Sequence, residues 1–468
     1  MTIQQMLLGT GAASEQLLDY FITTLNRSNP PSSSNYDVPS KIAVGSDKSI
    51  YFCGDYTDHI FKLSPNGVLQ WQRVYSTGGS GFHGIAVDSN DNVYVVQQHS
   101  SVSGYPAALI KYNSSGTHQW TKLLERNWSG GGYPTPTNVT IDSNDNIYMT
   151  GYHYDSYYHS FVSKWDTSGT LAWAKSYAKS STNSMDCWGS TIDSSGNVYI
   201  CGGANQVNNF YNEGYIAKIN SSGTAQWFTS LVGPYHATYG NNRLRISAFA
   251  VEVDSSGNVY YAGSANRGQG PNFNQHLFLA KFNSSGTHQW HTFVGTDSYE
   301  VYYDLKIDSN DNIYCVGRTT IGSSTTGAII FKYDSSGTLT YKRAIRIGST
   351  SSGLNTINTG IDIDSSGDLY VVGYNSQSTQ DPTNGGTEIQ VAKLPSDGTL
   401  TGTYGDFTYE EPTAVTYITQ SGGANYTTVS TNLTDLTSSY GFTSSTRTGD
   451  TETAASTTGA ITVIQATP

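Results

Sequence analysis

The chain has 468 residues, of which only 13% are charged, with a formal net charge of −12 and an abundance of glycine (49) and tyrosine (35). Such a length supports a large core, while the acidic balance argues against nucleic-acid binding by counterion release. No stretch of the sequence reaches the ~18 apolar residues that a membrane-spanning helix needs.

In chain order, residues 1–40 come first and read as an anchor segment and linker. Within them, 14–28 predicts a short amphipathic helix, with Leu17, Leu18, Phe21, Ile22 and Leu25 as its stripe and Ser14 as its cap. NPPSSSN (29–35) reads as the linker that follows. No Lys or Arg precedes Arg27 and the apolar run MLL is short, which argues against an export signal.

Residues 41–405 hold seven copies of one pattern. Its first half is an apolar triplet, a turn and a Tyr-bearing strand, as in IAVDSNDNVYVV (85–96), TIDSSGNVYICG (191–202) and LKIDSNDNIYCVG (305–317). Its second half is a Lys-ended strand, a polar turn and a Trp strand, as in KYNSSGTHQW (111–120) and KFNSSGTHQW (281–290). A fixed period marks a repeat architecture. Alternating apolar residues with β-branched and aromatic enrichment indicate strands. Each tight turn places Gly196, Gly223 or Asp91 where a left-handed backbone is needed. Four antiparallel strands per copy predict an all-β, seven-bladed β-propeller, whose radial closure leaves few open sheet edges.

These turns and their spacing resemble the SBBP-type β-propeller repeat family, a resemblance that speaks to architecture and leaves function open. The recurring residues read as structure. Tyr51, Tyr94, Tyr148, Tyr199, Tyr260, Tyr314 and Tyr370 share one place in each copy. Trp71, Trp120, Trp173, Trp227 and Trp290 share another, replaced by Tyr341 and Gly402 in the last two, and are expected to pack between neighbouring blades. Asp88, Asn90 and Asn92 have the spacing of a calcium loop, but turn chemistry accounts for them. Cys53, Cys201 and Cys315 fall at the end of the second strand in three different blades and Cys187 in a loop, so no disulfide is expected and folding in a reducing cytoplasm is.

Residues 406–468 are rich in Thr, Ser and Gly, with no Lys and the single Arg447. β-favouring runs occur at 414–418, 425–429 and 460–464. With too little apolar content for a core of its own, this region is expected to need a partner surface, whether as a small β-domain, a strand-exchange arm or a disordered tail.

Connections one and three of each blade are tight turns, and connections two and four are long, so one face is smooth and the other carries the irregular loops. Function concentrates in such loops. The expected contacts are Tyr152, His153, Tyr154, Tyr157 and Tyr158 in 152–160, Asn208, Asn209, Phe210 and Tyr211 in 203–214, and Tyr235, His236 and Tyr239 in 234–243. Rings that stack and amides that hydrogen-bond suit glycan or protein recognition, although solvated loops carry the same composition. Asp155, Asp186, Glu213, Asp297, Glu300 and Asp381, with Arg243, Arg245, Arg267 and Arg318, are scattered over this face without a recognisable motif. No catalytic residue, metal ligand or cofactor is therefore assigned. Glu252, Lys306 and Asp362 sit mid-strand near the axis and are expected to neutralise one another.

The opening MTIQQMLLG resembles the start of virion structural proteins of marine tailed phages, the cyanophages above all. That resemblance implies a non-enzymatic virion protein made in a host cytoplasm: a tail fibre, an adaptor or a capsid decoration. Its partners would be other virion proteins, through 1–28 and 406–468, and a host-surface glycan or protein. The alternatives are a cellular adhesion propeller, for which an export signal is expected, and a polysaccharide-acting enzyme.

Overall fold

The computed structural model describes residues 20–27, 38–55, 59–75, 81–100, 104–126, 132–180, 183–207, 210–232, 246–266, 275–296, 299–321, 326–347, 355–376, 387–404, 407–412, 415–417, 427–431, 434–435, 442–447, 452–453 and 461–466. Every element among them is a strand, and no described helix is long and apolar enough to cross a membrane. The repeats form seven antiparallel sheets. Blades 1 to 7 span 38–75, 82–126, 135–178, 189–232, 246–295, 301–347 and 355–394. The first strand of each blade packs on the first strands of its two neighbours, blade 7 on blade 1 included, so the ring is closed.

The tight-turn face explains the repeated residues one by one. The Asp88 carboxylate accepts the Asn90 and Asn92 amides at 3.0 and 2.9 Å, the Asn92 side chain and the Tyr94 hydroxyl at 3.0 Å. It thereby fixes its own turn and orients the tyrosine. Lys111 then sits 5.1 Å over the Tyr94 ring, and Trp120 packs against that ring at 6.0 Å. The same trio recurs as Tyr148, Lys164 and Trp173, and as Tyr260, Lys281 and Trp290. As expected, the tryptophans join blades. The indole N–H of Trp71, Trp173 and Trp227 donates to the Ser114, Ser221 and Ser284 carbonyls of the next blade, at 3.1 to 3.2 Å.

Gly196 and Gly223 do take the left-handed backbone (φ 76° and 81°), and so do Asp91, Asp145 and Asp311 (φ 59°, 59° and 61°). For an aspartate that conformation is costly, and each has a partner in the preceding blade that glycine could not reach. Ser46 donates its N–H and hydroxyl to Asp91, Ser89 to Asp145 and Ser255 to Asp311, at 2.7 to 3.0 Å. In blade 1 the residue is Lys48 (φ 65°), which reaches Asp364 of blade 7 at 3.0 Å.

Blade 7 has only three strands of its own. The missing fourth is Phe21–Arg27, antiparallel to Thr387–Leu394, with Phe21 opposite Lys393. The amphipathic helix expected over 14–28 is thus corrected to a strand from Phe21 onward; its first turn lies outside the described residues. The reason is tertiary: Phe21 and Leu25 fill the gap between blades 7 and 1 and Ile22 that between blades 6 and 7, all buried to within 4% exposure, and propensity is overridden. Register shows how well the segment fits. In other blades the residue opposite the lysine is the Trp or Tyr341, and outside blade 2, where Lys122 takes the place, its ring covers the left-handed glycine of the next blade's second tight turn, as Trp227 covers Gly286. Gly402 has no ring, and Phe21 supplies it: its ring lies on Gly67 of blade 1.

The tail finds its partner surface on the same chain. After blade 7 it turns back, and Phe407–Glu410 adds to the outer edge of blade 6. Short strands starting at Thr416, Thr427, Thr434, Phe442, Glu452 and Ile461 then add to blades 5, 4, 3, 2, 1 and 7 in turn. Every blade gains an outer strand from the tail. Exposed edges are the liability of sheets, and this belt covers all seven.

Candidate functional site

The site begins with the glycine three residues after the repeat tyrosine. A Cβ on Gly151, Gly202, Gly263, Gly317 or Gly373 would lie 1.9–2.1 Å from a carbonyl oxygen of the first strand or, for Gly202, of Asp186 just before it. That oxygen is pushed forward by a one-residue bulge in the first strand, registered in blades 1, 2, 3, 5, 6 and 7. Bulges re-aim side chains. Blade 2 is the exception at the glycine, with a buried Gln97. The bulged residues are Ser40, His83, Thr137, Phe249, Tyr303 and Thr359, and in blade 4 Trp188 holds the place before Gly189. All seven are half-buried, and all but Ser40 and Thr137 stand between two buried neighbours. They form a ring at the loop-face mouth of the axial channel.

The ring has two characters. Trp188, Phe249 and Tyr303 of blades 4 to 6 form an aromatic arc, with centroids 4.5 and 6.2 Å apart. Blades 7, 1, 2 and 3 supply Thr359, Ser40, His83 and Thr137. Ser40 donates to the Phe82 carbonyl at 2.7 Å and Thr137 to that of Cys187 at 2.8 Å, which ties blades together and leaves their oxygens able to accept. Burial pushes the His83 imidazole down to about 4, so it is neutral at physiological pH. Burial pushes the Tyr303 hydroxyl up to about 12, against the pull of Arg318.

Further along the same strands, the expected neutralisation holds: Lys306 contacts Glu252 at 2.7 Å, and Glu252 also accepts from Thr191. Burial raises the Asp362 carboxyl, although Lys306 and the Val44 amide oppose it. Lys41 of blade 1 pairs with Asp304 of blade 6 at 2.9 Å, past Gly360.

The loops at 152–160 and 203–214 are shorter than their sequences suggested, because the strands run on. Ile147–Tyr154 pairs with Tyr158–Trp165 up to Tyr154 opposite Tyr158, and Val198–Val207 with Phe210–Ile219 up to Val207 opposite Phe210. Tyr154 and Tyr157 are exposed at 47% and 38%. Tyr158 packs between Tyr152 and Tyr154 at 5.5 and 5.0 Å. His153 is not at the surface: it is fully buried, 2.7 Å from the Ser176 hydroxyl, because strand alternation turns it inward. Phe210 and Tyr211 lie in the strand of the second hairpin; Asn208, Asn209, Tyr235, His236 and Tyr239 lie outside the described residues.

Of the acids scattered over this face, three are engaged singly, Asp186 is buried, and Asp297 and Asp381 lie outside the described residues, as do Arg243, Arg245 and Arg267. Asp155 meets His159 at 3.0 Å, Glu213 takes Lys179 and Ser230, and the buried Glu300 accepts from Thr296 and Thr319. Among the described residues, no group of three or more His, Cys, Asp and Glu side chains is placed to hold a metal ion. Sequence reasoning missed the ring at the mouth. No one residue type runs through its members, and the glycine after the tyrosine was the one trace of the bulge that presents them.

Residues 119–152 match the Beta-propeller repeat (SBBP) family. A curated relative, an uncharacterized WD repeat-containing protein of Acanthamoeba polyphaga mimivirus, is 31% identical over 152 residues, 26% of this chain and 11% of the relative. The chain thus spans about a ninth of the length of the curated relative it matches. Among solved structures, a streptogramin B lyase is 12% identical with a TM-score of 0.46, over 80% of this chain and 98% of that one. The Pan2 WD40 domain of Neurospora crassa is 11% identical with a TM-score of 0.46, over 80% and 96%. The virginiamycin B lyase of Staphylococcus aureus is 14% identical with a TM-score of 0.38, over 67% and 94%. At such identities these neighbours say nothing of what this chain binds.

Proposed function

We propose that this chain is a non-enzymatic binding propeller that presents its loop face to a glycan or protein, as a structural component of a tailed-phage virion. The observation that carries the binding reading is how the other surfaces are used. The tail strands occupy all seven outer edges, and the turn face spends its repeated polar groups on joining blades. The loop face alone carries side chains that differ from blade to blade, with Tyr154 and Tyr157 exposed on a rigid hairpin. Aromatic groups held on strands recognise sugars and apolar groups at little entropic cost. The virion setting rests on the resemblance of the first residues and leaves tail fibre, adaptor and decoration open.

The test compares two sets of substitutions. Tyr154→Ala with Tyr157→Ala is expected to weaken attachment to host cells with little change in melting temperature. Ser114→Ala, Ser221→Ala and Ser284→Ala on the turn face should leave attachment unchanged, because only their backbone carbonyls are used. The reverse outcome refutes the orientation. Absence of the chain from purified particles by mass spectrometry refutes the virion setting.

A further inference from the structure

Arg318 is a loop-face charge without an ion-pair partner among the described residues. It follows Gly317 on the second strand of blade 6, opposite Val301, and its guanidinium stands 4.7 Å from the centre of the Tyr299 ring. Its Nε is buried with no hydrogen-bond partner, and among the described residues it forms no ion pair. A buried donor left unpaired is costly. Of the nearby carboxylates, Glu300 accepts from Thr296 and Thr319 at Oε1 and has its Oε2 3.6 Å from His276 Nδ1, and Asp304 pairs with Lys41. Glu300 also accepts the Thr296 amide, and its neighbour Tyr299 is 51% exposed. Tyr303, within the electrostatic reach of Arg318, is the end of the aromatic arc Trp188–Phe249–Tyr303.

We propose that this part of the channel mouth binds an acidic sugar, a pyranose ring carrying a carboxylate. The C–H face of the ring stacks on the aromatic arc, and the carboxylate meets the Arg318 guanidinium, which suits planar oxyanions. The hydroxyls face the opposite arc, where Ser40, Thr137 and Thr359 offer oxygens and His83 offers a neutral imidazole. An inorganic anion would leave the arc unused, and an aromatic acid would leave the polar side unused. The proposal rests on the loop face being the binding face.

Calorimetric titration of the full chain with glucuronate, glucose and benzoate tests it. Glucuronate should bind, with glucose at least ~10-fold weaker, as expected for loss of a charge-assisted contact. Arg318→Gln should bring glucuronate down to the level of glucose, and Phe249→Ala should weaken both; thermal melts check that each variant is folded. No binding of glucuronate, equal binding of glucose, an unchanged Arg318→Gln, or benzoate binding where glucuronate does not, each overturns the proposal. The Tyr154/Tyr157 double variant separates it from the reading on which it rests. Glucuronate binding intact in that variant supports the mouth. Binding lost there and kept in Arg318→Gln moves the sugar to the hairpin, overturning this site while the loop face stands.

Discussion

Replacing Phe21 with alanine is the sharpest probe of how the ring closes. The side chain is 1% exposed and lies so tightly on Gly67 that a Cβ there would come within 2.6 Å of it. It also packs with Leu25, Ile42, Leu63 and Val391, which belong to the N-terminal strand and to blades 1 and 7. Truncating a buried phenylalanine costs about 3–5 kcal/mol, a large share of the roughly 5–15 kcal/mol by which domains are usually stable. Because Phe21 is local to one junction, the loss should be local too. Hydrogen exchange is expected to show early opening of 355–394 and of 461–466, which pairs with the N-terminal strand, with a melting temperature several degrees lower. Trp173→Ala, at the equivalent place in a blade made of continuous chain, should cost a similar amount without opening blade 7. If Phe21→Ala melts with the parent and blade 7 keeps its protection, the strand is not the closure. Deletion of residues 1–27 applies the same reasoning, and a truncated chain with blade 7 fully protected would equally refute it.

The repeat tyrosines predict a steep alkaline limit. Burial, followed by a nearby aspartate, holds Tyr94, Tyr148, Tyr199, Tyr260 and Tyr370 above the ordinary value of 10. The unfolded chain therefore loses protons first, and stability is present below pH 10 and falls above it by roughly 1.4 kcal/mol per pH unit per tyrosine; urea midpoints from pH 9 to 11 measure this, and a flat profile contradicts it. At the acid end, burial acts to raise Asp193, Asp308 and Asp364, but hydrogen bonds from Asn197, Asn312 and Lys48 with the turn amides win and hold them low. Their contribution is present above about pH 3.8 and is lost as pH falls through the lower folded values, so Asp193→Asn should shallow the acid limb of the same titration. All four cysteines are buried and free, burial pushes Cys187 up to about 12, and iodoacetamide at pH 8 should label none in the native chain and all four after unfolding.

What could be read from the sequence was whatever repeats. Asp88, Tyr94, Lys111 and Trp120 recur because each blade solves the same local problem, so pattern and turn chemistry sufficed for blade number, strand order and the smooth face. Phe21 was misread for the opposite reason. Its stripe of Leu17, Leu18, Phe21, Ile22 and Leu25 fits a helix period, yet Phe21, Ile22 and Leu25 also suit a strand buried on both faces, and only the vacancy left by Gly402 distinguishes the two. That vacancy was visible in the alignment of the copies. A closed ring that begins at its first strand and ends three strands into its last copy needs a fourth from elsewhere, and the N-terminal segment was the apolar piece without a place.

The tail was less legible because its strands join the sheets by backbone pairing. A strand that adds to a sheet edge gains its stability from backbone hydrogen bonds, which carry no residue pattern, and its pairing can be as short as two residues, as at Thr416–Tyr417 and Thr434–Asp435. β-favouring runs marked the strands at blades 5, 4 and 7 and gave no sign of those at blades 3, 2 and 1. Among the described residues, Arg346 pairs with Glu410 at 2.5 Å, Lys342 donates to the Val415 carbonyl, and Ser445 donates to Glu125 at 2.5 Å. Backbone pairing of this kind is indifferent to sequence but demanding of geometry, since each segment must meet an edge one blade further round. Each short strand is worth little alone. The fit of the belt thus depends on the closed ring, and the last strand of the belt pairs with the N-terminal strand that closes it. Two features invisible to periodicity, a borrowed strand and a sequence-poor belt, therefore meet on blade 7, where Phe21–Arg27 pairs with Ile461–Ala466.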